Sequence, residues 1–240
     1  MSRFIEKSVS KYKLKIPEFI CDKPLDDVME PFPSQSSFFT VHIGPPRSGK
    51  SSLMISALSD KNIYKKKFNN VILVAPDRSM SSLKKNIFDD LAQEKIYNEL
   101  TPETLIQVKS QLENYAANEE NSILLLDDIG AYLRDGKIQQ LLQEIVFNRR
   151  HMRVSIILLV QHFMSIPRPI RTMISNAFVW KQSNKKSLQS ITEELMFFSP
   201  HESEELCNMC FQKPHDFLSL AVQDNKVYHN LNEVIDRNNV

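Results

Sequence analysis

The chain has 240 residues, of which 42 % are apolar and 25 % charged, and its formal net charge is +1. That composition suits one domain with a substantial core and excludes a basic nucleic-acid footprint spread over the whole chain. Three cysteines exclude a disulfide framework, and the longest apolar run, Ile156 to Val160, is far too short to span a membrane.

The start, Met1-Ser-Arg-Phe-Ile-Glu-Lys7, has no apolar core behind its charges, so no secretory leader is expected and a reducing interior is the default. Residues 1–36 then behave differently from the rest. Lys11-Tyr-Lys-Leu-Lys-Ile16 alternates lysine with apolar residues, the pattern of a strand with one wet face, and Pro17, Pro24, Pro31 and Pro33 break any regular element. This reads as an extended arm packed on the core or on a neighbouring subunit. Its lysines suit either a solvated edge or nucleic acid.

From Ser37 the pattern alternates strand and helix. Such alternation predicts an α/β domain over 37–240, with a mostly parallel central sheet and helices on both faces. The first strand, Phe38–Ile43, leads into Gly44-Pro-Pro-Arg-Ser-Gly49-Lys50-Ser51, a full G-x-x-x-x-G-K-S phosphate-binding loop, and a helix follows over Ser51–Leu58. Glycine lets the backbone curl its N–H groups onto phosphate oxygens, and the helix start adds its positive end. Gly44, Ser48, Gly49, Lys50, Ser51 and Ser52 are therefore the expected nucleotide contacts. Lys50 is placed on the β- and γ-phosphates, and the Ser51 hydroxyl on Mg²⁺. Arg47 either adds charge there or points to solvent. Pro45 and Pro46 have no N–H to give, so the cradle comes from the later half of the loop.

Further strands are expected at Asn70–Ala75, Ser122–Leu126, Val154–Val160 and Ala177–Trp180, nearly continuous apolar runs of the kind buried on both faces. Helices are expected over Ser81–Glu94, Thr101–Ala117, Lys137–Arg149, Lys186–Phe198 and His201–Phe211. A terminal hairpin spans Asp216–Val222 and Lys226–His229, and Asn232–Val240 reads as a polar tail. The helix over Lys137–Arg149 places Ile138, Leu141, Leu142, Ile145 and Val146 on one face. Cys207-Asn-Met-Cys210 has metal-like spacing but no second pair, and fits two half-buried helical thiols.

Ser122-Ile-Leu-Leu-Leu-Asp127-Asp128 ends a buried strand in two carboxylates, where ligands bind in open α/β sheets. Asp127 is expected to hold the Mg²⁺ water shell, and Asp128 to orient and polarise the attacking water. Gln161, at the tip of the strand Ser155–Val160, either senses the γ-phosphate or satisfies a strand–loop corner. Arg149 and Arg150 end a helix. They are either a solvated basic end or the source of an arginine acting in a neighbouring subunit's site, with Arg168 and Arg171 as competitors.

Four blocks, Gly44–Ser51, Leu124–Gly130, Arg150-His151 and Ser155–Gln161, followed by Ile166–Arg171, resemble the poxvirus-type genome-packaging ATPases of large DNA viruses and virophages. These belong to the RecA-like additional-strand P-loop NTPases of the FtsK/HerA superfamily. The resemblance covers roughly residues 37–181. It implies a motor that binds ATP and Mg²⁺, assembles as a homo-oligomeric ring of five or six, and moves double-stranded DNA into a capsid through a capsid or portal component. It further implies catalytic roles for Asp128, Gln161 and Arg150. Channel-facing DNA contacts are expected at Ile129–Lys137, with Arg134 and Lys137, and at Lys65-Lys66-Lys67. The implied location is the host cytoplasm or the virion, away from membranes. The alternatives are a cellular or plasmid DNA-translocating ATPase of the same superfamily, a small-molecule phosphotransferase, or a nucleotide-dependent switch or assembly factor.

Overall fold

The computed structural model describes residues 24–75, 87–89 and 91–234. The lysine-rich stretch Lys11–Ile16, Cys21, half of the helix expected over Ser81–Glu94 and the end of the polar tail lie outside the described residues. Chain order is β1 (Phe39–Ile43), α1 (Lys50–Ser59), β2 (Asn70–Val74), β3 (Ile96–Tyr97), α2 (Pro102–Ala117), β4 (Ser122–Leu126) and α3 (Gly136–Asn148). It continues with β5 (Val154–Val160), the single turn α4 (Arg168–Arg171), β6 (Asn176–Trp180), α5 (Lys185–Met196), α6 (Pro200–Cys210), β7 (Phe217–Ala221), β8 (Lys226–His229) and β9 (Asn232–Val234).

One sheet runs in the order β3-β2-β4-β5-β1-β6-β7-β8-β9. The pairings from β3 to β6 are parallel, and those from β6 to β9 are antiparallel. The expected mostly parallel sheet is therefore present. Strand β5 lies between β1 and β4, so the acidic strand is not the neighbour of the phosphate-loop strand.

Alternate strand residues feed two cores, as a period of two requires. Val41, Ile43, Leu124, Leu126, Ile156 and Leu158 join the buried faces of α2, α3 and α5. Ile123, Leu125, Ile157, Leu159 and Phe178 join Met54 and Ala57 of α1. On this second face Phe32 packs on Phe178 and Tyr64, with ring centroids 5.2 and 6.0 Å apart. The described part of the N-terminal arm thus covers α1's side of the sheet.

Helix starts follow local chemistry. Thr101 accepts from the Thr104 N–H ahead of α2, with Pro102 at the first helical position. Asp135 accepts from the Lys137 and Ile138 N–H groups ahead of α3. Ser199 and Glu202 form a reciprocal capping box at α6. In α6 Cys210 is fully buried and its apolar surroundings push the thiol up to about 11, while Cys207 is partly exposed. Among the described residues no group of His, Cys, Asp and Glu is arranged to hold a metal ion.

Two expectations change. Ile87–Asp89 form only a turn and Gln93–Lys95 a single 3-10 turn, so the described end of the helix expected over Ser81–Glu94 is not α-helical. The chain passes instead into β3, which pairs with β2 through Leu73 and Val74. In the expected polar tail, Asn232–Val234 form the edge strand β9 on β8. Its polar side chains suit an edge, where pairing rests on backbone hydrogen bonds and few side chains are buried.

Candidate active site

The phosphate loop is fastened where β1 and β5 end level, Ile43 opposite Val160. The Gly44 N–H donates to the Val160 carbonyl at 3.2 Å, and the Ser48 N–H to the Pro45 carbonyl at 3.3 Å. Gly44 is required by close approach, since a Cβ there would lie 2.7 Å from Ser48 Oγ and 2.9 Å from Trp180 Cβ. Gly49, at φ 114°, makes the left-handed step that opens α1. The first bond of that helix is Leu53 N–H to the Gly49 carbonyl at 2.9 Å. The preceding amides, up to Ser52, are the donors that a helix start leaves without intrahelical partners. Pro45 has an unforeseen use: its carbonyl accepts from both Ser48 and Lys50. Arg47 is exposed, at φ 63°.

Lys50 Nζ donates to the Gly44 carbonyl at 2.7 Å and to the Pro45 carbonyl at 2.9 Å, so the ammonium sits across the mouth of its own loop. Burial lowers its pKa, opposed by the negative charges of Asp127 and Asp128. Beside it, Ser51 Oγ lies 3.4 and 3.3 Å from the two carboxylate oxygens of Asp127. Asp127 is 3 % exposed, and its N–H donates to the Val74 carbonyl at 2.9 Å. A hydroxyl facing a buried carboxylate is a hard-oxygen pair suited to Mg²⁺, which is bound by one or two carboxylates and substrate phosphates rather than a full protein cage.

β4 ends with Leu126 opposite Leu158, so continuing the register sets Asp128 beside Val160. There Gln161 Nε2 donates to Asp128 Oδ1 at 3.0 Å. Asp128 is exposed and adopts φ 51°, turning its carboxylate out of the strand line. Lys50, Ser51, Asp127, Asp128 and Gln161 thus meet at one end of the sheet, drawn from three strands.

The arginines are placed differently. Arg149 Nε donates to the Ser37 carbonyl and Nη1 to the Val146 carbonyl, both at 2.9 Å, and burial lowers its pKa. It closes the end of α3. Arg150 is exposed and precedes β5, at the opposite end of that strand from Gln161. The seven residues of β5 span about 20 Å, so Arg150 is remote from the phosphate loop of its own chain. Arg171 donates to Glu194 at 2.8 Å and to the Ile166 carbonyl at 2.7 Å, and lies over the Phe163 ring. Arg168 is exposed.

Three residues not marked by any motif also reach the loop. His42 is buried under it, donates from Nδ1 to the Lys50 carbonyl at 3.2 Å, and is held neutral by burial, its pKa pushed down to about 4. Trp180, at the end of β6, backs Gly44 and Gly49. His215 donates from Nδ1 to the Ser48 carbonyl at 3.0 Å across 167 residues. Only a histidine inside the loop strand and the sole tryptophan at a strand tip hinted at this shell.

A sequence model of the family described as Poxvirus A32 protein matches residues 34–203. Uncharacterized protein 075L of invertebrate iridescent virus 6 is 27 % identical over 168 residues, covering 66 % of this chain and 62 % of that protein. The chain therefore matches less than two thirds of that relative's length. Among solved structures, B204, the DNA-packaging ATPase from Sulfolobus turreted icosahedral virus, is similar with a TM-score of 0.62 at 18 % identity, over 81 % of this chain and 97 % of that one. The genome packaging NTPase B204 of Sulfolobus turreted icosahedral virus 2, in complex with ATP-gammaS, gives 0.57 at 14 % identity, over 80 % and 96 %. At such identities these structures establish a shared fold.

Proposed function

The chain belongs to the poxvirus A32 protein family, and from that premise we propose that it is an ATP-hydrolysing motor that drives double-stranded DNA into a viral capsid. The observation that carries the proposal is the Ser51 hydroxyl set 3.3 Å from the Asp127 carboxylate although 76 residues separate them. The additional strand β5 delivers Gln161 to the same point.

In this reading Lys50 exchanges its two loop carbonyls for β- and γ-phosphate oxygens. The amides of Ser48 to Ser52 cradle the phosphates, with Gly44 giving the loop room to curl and Arg47 adding charge at its rim. Ser51 and Asp127 would hold Mg²⁺, which neutralises phosphate charge when bound. Asp128 orients and polarises the attacking water, and Gln161 fixes that carboxylate and senses the γ-phosphate. Arg150, remote from its own loop, serves the site of a neighbouring subunit in a homo-oligomeric ring of five or six.

The segment Ile129–Lys137, with exposed Arg134 and Lys137, continues directly from Asp128 and can pass changes at the phosphates to DNA in the ring channel. Lys65 and Lys66 are also exposed, ahead of β2 and so at the opposite end of the strands from the phosphate loop, while Lys67 Nζ donates to the Asp26 carbonyl. One or two basic side chains repeated around a ring make an electrostatic track despite the chain's near-neutral charge. Residues 37–240 form the ATPase domain and 1–36 its arm. A capsid or portal component is the further partner, in the host cytoplasm or the virion. Among the described residues no helix is long and apolar enough to cross a membrane.

The test is steady-state ATP hydrolysis by the full chain with and without linear double-stranded DNA. A several-fold rise supports the motor. A rate indifferent to DNA at every salt concentration tried refutes it.

A further inference from the structure

Gln161 stands just past the paired part of β5, whose last partner on β1 is Ile43 opposite Val160. The strand ladder therefore does not hold the side chain that donates to Asp128, and its direction depends on the turn that follows. That turn is a single 3-10 turn, Phe163–Ser165. Within it the Ser165 N–H and hydroxyl both donate to the His162 carbonyl, at 3.1 and 2.6 Å. Hydrogen bonds in such turns have poor geometry, so the rigidity of this one must come from outside it.

Arg171, the last residue of α4, supplies it. Its guanidinium lies over the Phe163 ring, 5.1 Å from the centroid, and donates from Nη1 to the Ile166 carbonyl at 2.7 Å. Nε donates to Glu194 of α5 at 2.8 Å. One side chain thus grips both ends of the turn and ties them to a helix. The Arg171 side chain is 11 % exposed, and Phe163 and Ile166 are buried. An ion pair taken out of water adds little net stability over apolar groups of the same volume, so what this one contributes is direction. A planar guanidinium donates at fixed angles, which neither lysine nor an apolar side chain can copy. The same turn also touches the acidic loop, since Ser165 Oγ lies 3.7 Å from where a Cβ on Gly130 would sit.

We propose that Arg171, anchored by Glu194, is a positioning residue for hydrolysis, a role that rests on the parts given above to Gln161 and Asp128. It sets the turn after β5 so that Gln161 stays within hydrogen-bond reach of Asp128. A guanidinium committed to Glu194, Ile166 and Phe163 stays in its own subunit, so Arg171 does not compete with Arg150 for the neighbouring site.

Single-turnover hydrolysis and equilibrium ATP binding are measured on the full chain carrying Gln161→Ala, Arg171→Met or Arg171→Lys, and with each Arg171 substitution combined with Gln161→Ala. Methionine fills the volume without the charge. Lysine keeps the charge and stem without the fork, and carries the test if the methionine variant fails to fold. Both Arg171 variants should hydrolyse roughly 10- to 100-fold more slowly, with the Kd for ATP within about twofold of the parent, as for a catalytic group displaced by about 1 Å. Each double variant should be no slower than the slower of its two singles, because Arg171 acts through Gln161. Losses that multiply in the double variants, ATP binding that weakens in step with the rate, or parental hydrolysis by an Arg171 variant beside a slow Gln161→Ala each overturn the positioning role alone. Parental hydrolysis by Gln161→Ala overturns the part given to Gln161, and the positioning role with it.

Discussion

Asp128→Asn replaces one carboxylate oxygen by an amide in a residue whose backbone already sits at φ 51°. Asparagine tolerates that left-handed region about as well as aspartate, and the residue is exposed, so stability should change by less than about 0.5 kcal/mol. The contact from Gln161 Nε2 at 3.0 Å survives, because the amide oxygen still accepts. What is lost is a proton acceptor and one negative charge. General-base and water-orienting groups contribute about 10²–10⁴ in rate, so turnover should fall by that factor. Nucleotide affinity should hold or tighten, since a charge that repels the phosphates is gone. Screened as in water, that gain is about 1 kcal/mol, roughly fivefold in Kd. The assay pairs single-turnover hydrolysis with equilibrium binding of ATP on the same preparation, and thermal unfolding confirms the fold. Parental hydrolysis by the variant removes Asp128 from the mechanism. A parallel collapse of binding would mean that Asp128 holds the site together instead of acting in it.

Gly44→Ala meets Trp180 Cβ at 2.9 Å and Ser48 Oγ at 2.7 Å, and the first cannot yield because Trp180 ends a buried strand. An overpacking cost of about 2 kcal/mol should lower the Tm by about 4–8 °C in calorimetry and weaken nucleotide binding with it. His42 is buried neutral with its pKa depressed from 6.5 to about 4, so the unfolded chain binds a proton that the folded chain refuses. Its contribution is fully present above pH 6.5 and is lost as the pH falls towards 4, about 3 kcal/mol in all. His42→Gln should therefore flatten the pH dependence of chemical denaturation in that window. Lys50→Ala should abolish ATP binding and Arg150→Ala should stop turnover in uniform rings. Mixed rings of the two should recover activity at interfaces that pair an intact Lys50 with an intact Arg150. Failure of mixed rings to do so, with assembly intact, removes Arg150 from the site.

The strands β1, β2, β4, β5 and β6 were legible because each is buried on both faces, which forces a continuous apolar run. The two-residue β3 and the polar edge strand β9 lack that constraint; backbone pairing alone defines them, and no side-chain period marks them. The phosphate loop was legible for a related reason, since its chemistry is local and its spacing carries it. The outer shell was not. His215 meets Ser48 across 167 residues, and nothing in the turn around Pro214 marks it as a cover for the loop. Only the family resemblance set Arg150 apart from Arg149; their position at a basic helix end did not. The backbone separates them, by folding Arg149 back onto Ser37 and Val146 and leaving Arg150 outward.

The sheet order also explains why these groups belong together. β5 carries Gln161 at one tip and follows Arg150 at the other; every residue from Val154 to Val160 is buried, and Ile156 to Leu158 are paired on both sides. A strand packed in this way moves with the sheet and does not bend within it, because close-packed interiors transmit displacement. Loss of the γ-phosphate would release Gln161 from it. Any resulting shift of β5 would be felt at Arg150, which the proposed ring sets towards the neighbouring subunit's phosphates. In the proposed ring the additional strand would be the physical link between hydrolysis in one site and the arginine supplied to the next.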